Sequence, residues 1–91
     1  MNYVTGDFDI CGTSLQGTIN TSYDRLVSLF GEPITRFGDD KVQVEWAVKF
    51  DDGTLATIYD WKEDENPSGV TEWHIGGFSK AAVYNVIDEV I

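Results

Sequence analysis

One cysteine, one histidine, two prolines and six basic residues are all that 91 positions provide of those types, and each shortage removes a class of function. Cys11 alone cannot form an intrachain disulfide, and a cysteine-rich metal site is excluded by count. No run of about eighteen apolar residues exists, and M-N-Y-V-T-G-D-F-D at the start lacks a basic region with an apolar one behind it. The expectation is a cytoplasmic protein with no membrane contact. Six cations face sixteen carboxylates, giving a net charge of −10 at pH 7. That balance disfavours direct nucleic-acid binding and suits a partner with a basic surface.

The length and apolar content suit a single domain, 1–91, with one modest core. Residues 8–20, F-D-I-C-G-T-S-L-Q-G-T-I-N, read as a bent strand or two short ones, with Gly12 and Gly17 as bend points. Thr21 or Ser22 offers an N-cap, and Tyr23, Leu26, Val27 and Phe30 follow at helical spacing until Gly31 and Pro33 stop the helix. Val42 to Phe50 alternates apolar and polar residues, D-D-G turns the chain, and T-L-A-T-I-Y-D-W returns it, which predicts a hairpin over 42–62. K-E-D-E-N-P-S-G is a charged loop, V-T-E-W-H-I a third strand of the sheet core, and Ser79 can cap a final helix. The order β-α-β-β-β-α predicts an α+β fold: an antiparallel sheet of three to four strands with two helices packed on one face.

The D-D-G loop admits two registers. A two-residue turn at Asp52-Gly53 pairs Trp46 with Tyr59 and buries Tyr59 and Trp61. A three-residue loop with Gly53 in the left-handed bulge position slips the pairing by one and puts Tyr59 and Trp61 on the opposite face, beside Glu45 and Lys49.

Catalytic and metal chemistry have little material. His74 would need Cys11 or Ser14 brought to it by the fold, and Asp60, Glu63, Asp64 and Glu65 match no cation-loop spacing, so neither an enzyme nor a cofactor is expected. Binding has more. Asp39, Asp40, Glu63, Asp64 and Glu65 form two acidic stretches able to meet a basic protein surface. A second candidate set, for a small nucleotide, joins the aromatic faces of Tyr59, Trp61 and Trp73 with His74, the Gly76-Gly77 pair ahead of a helix, and Lys62 or Lys80. A second copy completing such a pocket, a homo-oligomer, is compatible with either.

G-T-S-L-Q-G at 12–17, F-G-E-P at 30–33, V-E-W at 44–46, D-G-T-L-A-T-I-Y-D-W-K at 52–62 and W-H-I-G-G at 73–77 resemble a set of small, largely uncharacterised proteins encoded by tailed bacteriophages. The resemblance covers most of the chain. It implies expression in an infected bacterial cell and a role in host takeover or counter-defence. T-S-Y-D-R-L-V-S-L-F-G-E-P followed by a hairpin is also similar to the helix-then-hairpin unit of β-lactamase inhibitor protein and of small outer-membrane assembly lipoproteins, over about half the chain. That likeness bears on the fold; Cys11 follows no signal sequence, so the lipoprotein location does not transfer. The functional expectation is a non-enzymatic protein that inhibits a host protein through its acidic surface, with a nucleotide-sequestering sponge as the alternative.

Overall fold

A computed structural model describes residues 2–6, 8, 10, 12–35, 44–60 and 72–91. Strands β1 (Tyr3–Thr5) and β2 (Ser14–Asn20) precede helix α1 (Tyr23–Phe30). Strands β3 (Ile34–Thr35), β4 (Val44–Phe50), β5 (Leu55–Tyr59) and β6 (Glu72–Gly77) lead to helix α2 (Ala81–Val90). The fold is α+β, with one antiparallel sheet ordered β1-β4-β5-β6-β2 and with β3 sharing the β4 edge with β1. The sheet is wider than the predicted three to four strands. The extra strands are three and two residues long, too short to show periodicity, and exist because β4 offers them an edge.

Each helix has a local cause. The Ser22 hydroxyl accepts the Arg25 N–H at 3.1 Å and Asp24 sits in the first turn of α1, while Gly31 at φ 81° ends the helix by donating its N–H to the Val27 carbonyl. Helix α2 begins with the Ser79 hydroxyl accepting the Ala81 N–H at 3.3 Å. Leu26 and Phe30 of α1 and Ala82, Val83 and Val86 of α2 turn their apolar side chains onto the same face of the sheet.

Under them lie Val44, Trp46, Val48, Phe50, Ala56, Ile58, Trp73 and Ile75, alternate residues of the three central strands, all buried. Trp46 and Trp73 meet edge to face at 5.4 Å. Their indole N–H groups donate to the Gly31 carbonyl at 2.7 Å and the Thr21 carbonyl at 3.0 Å. The two tryptophans therefore brace α1 at both ends, one just beyond its last residue and one just before its first. Tyr3 closes the β1 side, donating its hydroxyl to the Leu29 carbonyl at 2.6 Å with its ring edge-on to Phe30 and Phe50.

The hairpin closes in three residues. Gly53 donates to the Phe50 carbonyl, Phe50 donates to the Thr54 carbonyl, and Gly53 carries φ 91°, the left-handed value that only glycine adopts without strain. The Asp52 carboxylate accepts the Thr54 N–H at 2.9 Å and then bonds Asn85 of α2; the Thr54 bond above all holds this carboxyl below its ordinary range. Pairing is thereby fixed as Trp46 with Ile58 and Glu45 with Tyr59. Of the two registers that the sequence allows, the bulged one is present.

Gly76 and Gly77 correct a second expectation. They are not a turn leading into the helix but the last two residues of β6. A Cβ on Gly77 would lie 2.6 Å from Ala82 Cβ, so Gly77 lets α2 approach the sheet rather than presenting a free amide at a helix start.

Candidate functional site

The face of the sheet away from the helices is built from the other alternate residues. Pairing places Glu45 beside Tyr59, Tyr59 beside His74 and His74 beside Thr18, a row running across β4, β5, β6 and β2. The rings of Tyr59 and His74 meet edge to face at 5.7 Å. Glu45 is only 6% exposed despite its charge. Burial pushes the Tyr59 phenol above its ordinary value, and the Glu45 carboxylate beside it pushes it further.

The next row is small: Ala47, Thr57 and Gly76, with Leu15 at the β2 edge. A Cβ on Gly76 would stand 2.5 Å from Thr57 Oγ1 and 3.4 Å from Tyr59 Cε1, so the tyrosine ring leans over the glycine. Tyr59, His74 and Gly76 thus come together as one part of the nucleotide-binding set.

The remainder of that set is dispersed. Trp73 faces the core, fully buried between the helices and the sheet, and Gly77 faces α2. Lys80 donates to the Gln16 carbonyl at 2.6 Å, at the β2 edge. Trp61 and Lys62 lie outside the described residues, as do Asp39, Asp40, Glu63, Asp64 and Glu65.

The chain leaves and re-enters the described structure at Val44, Asp60 and Glu72, all at the end of the sheet that carries the Glu45, Tyr59 and His74 row. Asp60 is fully buried there, and its Oδ1 accepts the Val44 N–H at 3.1 Å. The side chain thereby extends the β4–β5 ladder by one bond beyond the Glu45–Tyr59 pair.

No family model, curated protein or solved structure matches the chain. Among the described residues, no three acidic, histidine or cysteine side chains gather as metal ligands. No helix among them is long and apolar enough to cross a membrane.

Glu45, in the middle of V-E-W-A-V-K-F, stands beside Tyr59, as the three-residue loop predicts. The hairpin tip was not among the candidate sites: Asp51 and Asp52 are exposed, and a hollow of about 350 Å3 lined by Tyr3, Val4, Phe50 and Asp51 opens beside them. D-D-G carries that signal as well as the turn.

Proposed function

We propose that this protein works by binding rather than catalysis: it docks on a host protein that has a basic surface and inhibits it, as a takeover or counter-defence factor in the infected bacterial cytoplasm. The acidic stretches at Asp39, Asp40 and Glu63 to Glu65 are its contacts. The observation that carries the reading is the junction of Val44 with Asp60. Residues 36–43 end at one and residues 61–71 begin at the other, and a 3.1 Å hydrogen bond joins the two anchors. Asp39 and Glu65 are each five positions in sequence from an anchor, so all five carboxylates belong to segments tied to that point. Five negative charges tied to one end of a chain of net charge −10 steer a cationic partner toward that end.

A lysate pull-down with the purified protein tests this. The expected result is a protein retained at low salt, released as ionic strength rises, and not retained by a variant with Asp39, Asp40, Glu63, Asp64 and Glu65 changed to Lys. Recovery of nothing at low salt would count against the reading, as would equal recovery by the variant.

The Tyr59–His74 contact supports the second reading, capture of a small or cyclic nucleotide, because two half-buried rings in contact, one of them beside Gly76, give a base a surface to stack on. Glu45 opposes phosphate in that row and would serve as an acceptor for a base N–H instead. Calorimetric titration with cyclic and linear nucleotides separates the two readings: no heat with any of them removes the sponge for that panel.

A further inference from the structure

The two edges of the sheet are finished differently. The β1 side ends in strands of three and two residues, both set against β4. The β2 side ends in a seven-residue strand whose pairing among the described residues is with β6 alone. Edge strands are ordinarily blunted by charge or proline, because their outward N–H and C=O groups are a template for another strand. Strand β2 has neither. It lies in residues 10–23, the longest stretch of this chain without a charged side chain.

Only its first half is protected. The register shifts between Leu15 and Gly17, a bulge at Gln16, and Lys80 takes the Gln16 carbonyl. Gly17 to Asn20 then run in regular register with Ile75 to Glu72.

Helix α2 extends this surface into the second layer. A Cβ on Gly17 would lie 3.0 Å from Val83 Cγ2, so the helix sits directly over the edge strand. Lys80, Tyr84, Ile87 and Ile91 share one helical stripe, and the Lys80 bond to Gln16 places that stripe on the β2 side. Tyr84 is 68% exposed and Ile91 92%. Glu89 is turned to the other side, where its charge helps raise the Tyr3 phenol after burial has done so.

We propose that this edge binds a second copy of the same chain, Gly17–Asn20 of one copy pairing antiparallel with Gly17–Asn20 of the other about a two-fold axis, with Tyr84 and Ile91 of each α2 covering the seam. Charge selects this occupant. Two copies of net charge −10 repel least where charge is sparse, and β2 with Lys80, Tyr84, Ile87 and Ile91 offers a strand template with no carboxylate of its own, Asp88 and Glu72 standing at its margins. A basic peptide, the other natural guest of an open edge, is drawn to carboxylates that this stripe does not carry.

The test is light scattering after size exclusion, over a range of protein concentrations at low and high salt. A dimer is expected, with a dimer fraction that increases with salt as mutual repulsion is screened, opposite to the salt response of an acidic-to-basic contact. Thr18→Asp and Tyr84→Asp, both at exposed positions, are each expected to weaken dimerisation by more than about tenfold while circular dichroism is unchanged. A monomer under all conditions overturns the proposal, as does a dimer that both substitutions leave intact. Should a variant unfold, amide exchange of the unmodified protein decides: slower exchange within Gly17–Asn20 at high concentration supports self-pairing, and no change overturns it.

Discussion

Trp73 and His74 are consecutive residues of one strand, yet one is sealed against α1 and the other stands in a polar row on the far side of the sheet. The same alternation divides Trp46 from Glu45, Ile58 from Tyr59 and Gly77 from Gly76. One face holds the molecule together around an apolar core, and the other carries Glu45, Tyr59 and His74. The division teaches that a cluster in sequence is not a cluster in space: in W-H-I-G-G, every second residue serves a different surface.

The sharpest way to break this comparison is to truncate the neighbours separately. Trp73→Ala removes the Trp46 contact and leaves the Thr21 carbonyl without its indole donor, and is expected to destabilise the fold by about 3–5 kcal/mol. His74→Ala removes one edge-on ring and is expected to lower stability by about 1 kcal/mol. Urea denaturation measures both. Equal losses would mean that the far face is as structural as the core.

The glycines come next in size. Gly77→Ala drives a methyl into Ala82 Cβ and to 3.0 Å from the Leu55 carbonyl, so α2 must move, at about 1–3 kcal/mol. Gly76→Ala meets the Thr57 hydroxyl, which can rotate, and is expected to fall at the lower end of that range. Thermal melting of the two variants orders them. If Gly76→Ala proves the worse, the row of Tyr59 and Thr57 is packed more tightly than the helix interface.

The smallest effect is electrostatic. Tyr59 in the folded chain holds its proton more tightly than in the unfolded chain. This contribution to stability is fully present below about pH 10, the ordinary tyrosine value, and is lost as pH rises through the folded value. Tyr3 behaves alike, mainly through burial. Glu45→Gln is expected to lower the Tyr59 midpoint without moving that of Tyr3, as read from phenolate absorbance. An unmoved Tyr59 midpoint would leave burial as the sole cause.

Much of the fold was legible because it depends on spacing. Leu26 and Phe30 announced α1, and the alternation from Val44 to Phe50 announced both β4 and the face it buries. Tyr3–Thr5 and Ile34–Thr35 were not legible, since each is ordered by a strand elsewhere in the chain rather than by its own pattern. The candidate site turned on one torsion. Area burial favoured a two-residue turn and loop chemistry a three-residue one, and these compete at similar magnitudes in any sequence reading. Gly53 at positive φ settles the matter and puts Tyr59 beside Glu45. Gly76-Gly77 misled for a related reason: glycine marks close approach as readily as a turn, and the approaching groups, Thr57 and Ala82, come from other elements.

The pairing of β2 with β6 also sets an order of assembly. β4 and β5 meet across three residues, a closure of microseconds, whereas Ser14 finds its place only opposite Gly77 and Asn20 only opposite Glu72. About fifty residues separate the last pair, and at roughly 5–20 residues per second a ribosome takes about 3–10 s to supply them. Throughout that interval residues 14–20 exist without β6, their partner among the described strands. Gln16, Gly17, Thr18 and Asn20 among them suit that wait, because an apolar strand left open for seconds in a crowded cell would aggregate before the sheet could receive it.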